Sequence, residues 1–277
     1  MARIVDCHAH IIDPDRFPFA EGAGYRPLSH ERGTQETLEG ALARHDVGHC
    51  LLVQPSCYGF DNRAMLHAMA TSPGRFRGIA MVAPAVGEET LRKLAEAGVV
   101  GVRFNLLSYD AEALRHPDTT GLLERIAALG WFAEVVAPEA QWPAIAPLLL
   151  DSGVSILVDH FGMPAIPRGR DRDGFEAVLG LGRSGRAVVK LSTPHPLDLA
   201  REHWPLLDPI VAALLDSYGP ERCVWGSDWP FLAAPEPPDY RDVLAFADRW
   251  LPDPEDRRRV LWDNPVRLFA FGAADHG

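Results

Sequence analysis

Short apolar runs recur along the chain, and the stretches between them space their apolar residues at helical intervals. The first run, Ile4-Val5, leads into Asp6-Cys7-His8-Ala9-His10. It is followed by Cys50–Val53, Gly78–Val82, Val99–Asn105, Trp131–Val136, Ser155–Asp159, Ala187–Leu191 and Cys223–Ser227. Thr34 caps a predicted helix through Leu38 and Leu42, and Asp61 opens a second through Met65, Leu66 and Met69. Further helices are predicted over 88–97, 122–129, 140–150, 175–181, 206–218 and 240–250, with a last one over 254–269. Eight strands alternating with helices predict a (β/α)8 TIM barrel, an α/β fold, as a single domain over 1–277. The strands are continuously apolar, as expected where helices cover a parallel sheet outside and side chains fill it inside. A doubly wound open sheet fits less well, because no Gly-x-Gly-x-x-Gly turn follows an early strand.

Composition narrows the function classes. The chain has 277 residues, 47% of them hydrophobic and 23% charged, which is ordinary for a globular protein. A net charge of −11 disfavours nucleic acid and acidic membranes as partners, although one arginine in a pocket can still hold an anion. The 4 cysteines show no Cys-x-x-Cys spacing, so neither a zinc finger nor a disulfide framework is indicated. Neither a signal-peptide core nor a run approaching the ~18 apolar residues of a membrane span is present. The expectation is a cytoplasmic protein, monomer or homodimer, that acts on a small molecule.

The chemistry sits at the ends of the strands. In a strand, His8 and His10 share a face, which makes a metal half-site, a pair of donors for one carbonyl, or a solvated edge. Two later runs also end in chemically capable residues, Val158-Asp159-His160-Phe161-Gly162 and Val224-Trp225-Gly226-Ser227-Asp228-Trp229-Pro230. A barrel collects such residues at the C-terminal ends of its strands. His8, His10, Ser56, Arg103, Asn105, His160 and Asp228 all fall on that rim. The long aromatic-bearing loop over 13–32 offers Tyr25 as either a substrate contact or a packing residue. His195 follows the seventh strand and can face the pocket. His30, His45, His49, His67, His116, His203 and His276 fall on helices, early strand positions or the tail, and are read as surface or packing residues. Lys190, mid-strand, is expected to fall short of the pocket.

These motifs resemble the amidohydrolase superfamily: Asp-x-His-x-His on the first strand, Asp-His-x-Gly after the sixth and Trp-Gly-Ser-Asp-Trp-Pro after the eighth. The chain most resembles the branch that contains 2-pyrone-4,6-dicarboxylate lactonases and related sugar-acid lactonases. The likeness extends through Gln54-Pro55-Ser56-Cys57, Asp61-Asn62-Arg63-Ala64, Gly101-Val102-Arg103-Phe104-Asn105 and Asp263-Asn264-Pro265. It implies a hydrolase opening a lactone ring, with Asp228 as general base and His8, His10 and His160 polarising the carbonyl. Arg103 would bind a substrate carboxylate, with hydrogen bonds from Ser56, Tyr25 and Asn105.

No metal is favoured, since the middle strands lack the histidines and bridging group of binuclear members. A single zinc or manganese ion on His8, His10, His160 and Asp228 is the alternative, and it goes with a metal-dependent decarboxylase of an unsaturated or aromatic acid. Where pyrone-dicarboxylate lactonases carry further arginines, this chain has Leu107-Ser108-Tyr109, Met163 and His195-Pro196. The expected substrate is therefore less anionic: a monocarboxylate lactone, or a neutral sugar or aromatic one.

Overall fold

A computed structural model describes residues 4–107, 111–166, 172–197, 199, 201–234 and 236–272. Strands β1 (Ile4–Ala9), β2 (Val47–Val53), β3 (Phe76–Ala80), β4 (Val99–Asn105), β5 (Phe132–Val136), β6 (Ser155–Val158), β7 (Ala187–Leu191) and β8 (Cys223–Trp225) pair in parallel in sequence order. Beyond β8 the chain closes back on β1. Trp229 bridges Ala9, and Asp228 N donates to the His8 carbonyl at 2.7 Å. The architecture is the (β/α)8 barrel expected from the alternating pattern.

Helices α1 (Gln35–Arg44), α2 (Arg63–Thr71), α3 (Glu88–Glu96), α4 (Pro117–Ala128), α5 (Trp142–Asp151), α6 (Arg172–Arg183), α7 (Asp208–Tyr218) and α8 (Tyr240–Trp250) cover the sheet. Thr34 caps α1 as expected, its hydroxyl accepting from Thr37 N. The helix predicted over 254–269 is instead broken. Pro254–Arg258 (α9) and Asn264–Leu268 (α10) flank a π-turn at Arg259–Asp263. The widened turn faces its apolar residues inward, with Val260 and Leu261 buried against the barrel.

Inside the barrel two layers follow one another. The lower is apolar, with Val5, Leu51, Ile79, Phe132, Leu157, Val188 and Val224 above Phe269 and Phe271. Side chains alternate along a strand, so residues two positions further on also face inward. Those residues are Arg103 after Gly101, Glu134 after Phe132, Asp159 after Leu157 and Lys190 after Val188. Four neighbouring strands thus place a charged layer on top of the apolar one. On β1 the register against β2 shifts between Asp6 and Ala9. This irregularity lets His8 reach the interior although Cys7, its neighbour, also packs there.

The same seam depends on Gly226. A Cβ there would lie 2.6 Å from His8 Cβ and 2.8 Å from His8 N. Gly226→Ala is therefore expected to push β8 away from β1, lowering stability by about 1–3 kcal/mol and activity with it. Denaturant melts paired with turnover assays check this. A variant as stable and active as the parent would show that the seam is looser than its spacing implies.

Candidate active site

The polar layer supports a cluster of imidazoles and carboxylates at the C-terminal mouth of the barrel. Asp228 lies at its centre. Its Oδ1 is 3.3 Å from His8 Nε2 and 3.2 Å from His10 Nε2, and its Oδ2 is 3.0 Å from His195 Nε2. The two Nε2 atoms of His8 and His10 are themselves 3.2 Å apart. His10 Nδ1 meets the Val53 carbonyl at 2.8 Å. A carbonyl only accepts, so His10 donates from Nδ1 and, when neutral, carries its lone pair on Nε2.

Asp159 is the second hub. Its Oδ1 is 3.0 Å from His8 Nδ1, and its Oδ2 is 3.3 Å from Arg103 Nη2 and 3.4 Å from His160 Nε2. Lys190 reaches up from β7, with Nζ 2.5 Å from Glu134 Oε2 and 3.1 Å from His8 Nδ1. His160 Nδ1 lies 2.7 Å from Ser192 Oγ. Both His160 and Asp228 take left-handed backbone conformations, φ 44° and 60°, in which a side chain is seldom tolerated without local support. For Asp228 the hydrogen bond to the His8 carbonyl supplies that support.

Electrostatics follow from burial and pairing. Burial alone would raise the Asp228 carboxyl. The surrounding imidazoles, His160 and His8 first and then His10 and His195, outweigh it, holding the group well below the usual carboxylate range. Asp159 is held down likewise against its own burial, by His160, His8 and Lys190. Burial pushes Glu134 up to about 7 in spite of Lys190. His8 and His160 are lowered, chiefly by burial, and so are neutral at pH 7.

The predicted residues divide into two sets. His8, His10, His160 and Asp228 come together, and His195 joins them. Arg103 lies beside them, but its guanidinium is engaged by Asp159, by the Gln54 carbonyl at 3.3 Å and by Glu134 at 3.6 Å. Asn105 is half-buried, its Oδ1 accepting from Leu107 N at 3.1 Å. Ser56 is exposed on the turn after β2. The Tyr25 hydroxyl donates to Glu31 and accepts from Ala233 N at 3.1 Å, bracing its loop against the one after β8. Ser108, Tyr109 and His276 lie outside the described residues.

Lys190 stays below the pocket, as expected, and is fully buried, but it reaches His8 from beneath. Its four-carbon side chain points inward one layer down and carries the ammonium to the underside of His8. Glu134, Asp159 and Lys190 were legible in principle, each two residues after an inward apolar position.

For a metal, the donor chemistry can be tested directly. His8 Nε2, His10 Nε2 and Asp228 Oδ1 stand 3.2–3.3 Å from one another. Ligands held about 2.0–2.2 Å from a tetrahedral cation have about that separation, so these three fit a single divalent ion. His160 falls instead into a second group with His8 and Asp159, so the expected four-residue set is divided.

The amidohydrolase family profile matches residues 5–271. The chain belongs to the amidohydrolase family. It is 30% identical over 279 residues to a 2-pyrone-4,6-dicarboxylate hydrolase of Comamonas testosteroni, covering 97% of this chain and 90% of the relative. A 4-sulfomuconolactone hydrolase of Hydrogenophaga intermedia is 28% identical, over 95% of this chain and 88% of that one. A crystal structure of a probable 2-pyrone-4,6-dicarboxylic acid hydrolase from Acinetobacter baumannii, with citric acid bound, superposes with a TM-score of 0.88 at 29% identity, covering 98% and 100% of the two chains. This amidohydrolase thus falls among enzymes named for hydrolysing cyclic esters. No helix among its described residues is long and apolar enough to cross a membrane.

Proposed function

We propose that this amidohydrolase opens a lactone ring by direct attack of water, with Asp228 as the general base. The observation that carries the reading is the Asp228 carboxylate, ionised, at the barrel mouth, with both oxygens against imidazoles. A proton taken from water by Asp228 Oδ1 arrives 3.2 Å from the lone pair of His10 Nε2, which can share it. His10 then becomes a cation facing the developing oxyanion, so its polarising role begins as the proton moves. His8 holds Asp228 in place through Nε2. His160, braced by Ser192, is the remaining imidazole for the lactone carbonyl. A divalent cation on His8, His10 and Asp228 would add Lewis acidity toward the same carbonyl.

Arg103 and Asn105 border a cavity of about 470 Å³ beside the imidazole cluster, whose other walls are mostly apolar (Phe60, Met81, Leu114, Leu122) with His116 and Asp118 among them. One guanidinium beside apolar walls suits a ring with a single carboxylate and a nonpolar body better than a dicarboxylate, whose second charge would be poorly paired there. The test is proton release from a panel of mono- and dicarboxylate lactones, before and after chelation, with metal content measured alongside. Hydrolysis of monocarboxylate lactones that survives chelation is the expected result. Absence of hydrolysis across the panel, or carbon dioxide release that needs the metal, would replace this reading with the decarboxylase one. The fit of the three-ligand triangle to a cation is the observation favouring that rival.

The pH dependence has a definite sign. His8 and His160 are lowered below the ordinary histidine value of 6.5, so they protonate only as pH falls through those lower values. Asp228 is held well below the usual carboxylate range. The acid limb of kcat/KM is therefore expected below pH 6.5, with no loss between that point and neutrality. A limb at or above pH 6.5 would contradict the assignment of neutral imidazoles.

A further inference from the structure

We propose that Lys190 is a positioning residue: it donates to His8 Nδ1, fixes the His8 proton on Nε2, and so biases the His8–His10–Asp228 triangle against a metal cation. The inference holds whether or not the chain opens a lactone, because it concerns the free enzyme.

The donors and acceptors around the His8 ring select one tautomer. At His8 Nε2 the hydrogen-bond acceptor is the lone pair of His10 Nε2 at 3.2 Å, with the Asp228 Oδ1 charge 3.3 Å away. The His10 side of that statement is fixed by the Val53 carbonyl on its Nδ1. At His8 Nδ1 there is one acceptor, Asp159 Oδ1 at 3.0 Å, and one donor, Lys190 Nζ at 3.1 Å. A proton on Nε2 is donated to His10, faces the Asp228 carboxylate with a partial positive charge, and lets the ammonium donate to Nδ1. A proton on Nδ1 satisfies Asp159 alone, turns an N–H toward the ammonium, and leaves three lone pairs converging.

Lys190 has no better use for its hydrogens. Its side chain is fully buried, Glu134 takes one N–H, and Asp159 Oδ1 at 3.8 Å is beyond hydrogen-bond distance. Asp159, by contrast, keeps other donors when His8 Nδ1 is bare: the His160 backbone N–H at 3.2 Å and Arg103 Nη2 at 3.3 Å.

A cation in the triangle needs the opposite tautomer. His8 would have to ligate through a bare Nε2 and carry its proton on Nδ1, donating to Asp159 in the usual carboxylate–histidine–metal arrangement. That hydrogen competes for space with the Lys190 ammonium, whose charge also repels a dication. Both effects act in the same direction, so Lys190 tunes the site between a proton-held and a metal-held form.

The experiment is a long-range proton–nitrogen NMR correlation of the imidazole rings in metal-stripped, uniformly labelled protein at mildly alkaline pH. His8→Gln identifies the His8 signals by their loss. The wild-type protein is expected to show His8 with its proton on Nε2, and Lys190→Met is expected to move it to Nδ1. Zinc affinity, titrated against a competing chelator, should rise at least about tenfold in Lys190→Met, which is about 1.4 kcal/mol. A wild-type His8 protonated on Nδ1 overturns the proposal without any variant being needed. An unmoved tautomer or unchanged zinc affinity in a folded Lys190→Met overturns it equally. Should that variant not fold, Lys190→Met with Glu134→Gln removes the buried pair as a unit and is read in the same way.

Discussion

Asp228→Asn is expected to lower kcat by about 10²–10⁴-fold, the range for loss of a positioned general base, while leaving the protein folded. Asparagine suits the test for a backbone reason. Asp228 has φ 60°, and among residues with a side chain asparagine tolerates that region as well as any. The amide also keeps an oxygen within reach of the imidazoles, so the packing of His8, His10 and His195 survives. What is lost is the capacity to take a proton. Asp228→Ala would confound that loss with added backbone strain, and Asp228→Glu would displace the carboxylate by about one bond length. Steady-state kinetics with a thermal melt on each variant separate these cases. Retention of kcat within tenfold at an unchanged melting temperature would move the base elsewhere, with Asp159 next to be tried. Asp159 is the weaker candidate because Arg103 and the backbone of His160 already occupy its oxygens.

Much of this was legible in the sequence because barrels translate order into position. Once eight apolar runs alternate with helices, every strand end lies on one rim, and His8, His10, His160 and Asp228 converge without further information. The strand over 187–191 and the helix over 240–250 fell where the pattern put them. The polar layer beneath the rim was harder to read. A lysine inside an apolar strand looks like a surface residue out of place until Glu134, Asp159 and Arg103 are known to lie across the barrel from neighbouring strands. Pairings of that kind depend on the stagger of the strands, which no local spacing encodes. Tyr25 shows the reverse limit: its loop position suggested a substrate contact as readily as packing, and its hydroxyl is spent on Glu31 and the Ala233 backbone. The π-turn at Arg259–Asp263 escaped because helical periodicity continues through it.

Asp6→Ala is expected to produce the largest loss of stability, about 3–5 kcal/mol, although Asp6 stands beneath the site and not in it. Its carboxylate is fully buried and accepts from four donors: His8 N at 3.1 Å, Ser227 N at 2.8 Å, Ser227 Oγ at 2.5 Å and Tyr240 Oη at 2.8 Å. Those donors belong to β1, to the segment after β8 and to α8. One side chain therefore ties the first strand to the last at the seam where the sheet closes. Burial raises its pKa, and the hydrogen bonds from Ser227, His8 and Tyr240 pull against that rise. Alanine leaves backbone N–H groups and a hydroxyl buried without an acceptor, and unpaired donors are what make such a deletion costly. Asp6→Asn should cost less, since its carbonyl can still accept from the two backbone groups while the hydroxyls rotate to accept from its amide. For a chain of this size the alanine variant should melt about 10 °C lower, with the asparagine variant between it and the parent. Activity should fall in the same order, because the segment from Ser227 to Asp228 is carried on the tie that Asp6 makes. A loss below about 1 kcal/mol in Asp6→Ala would mean that the backbone bridge between Ala9 and Trp229 closes the barrel by itself, and that Asp6 only fills the space beneath His8.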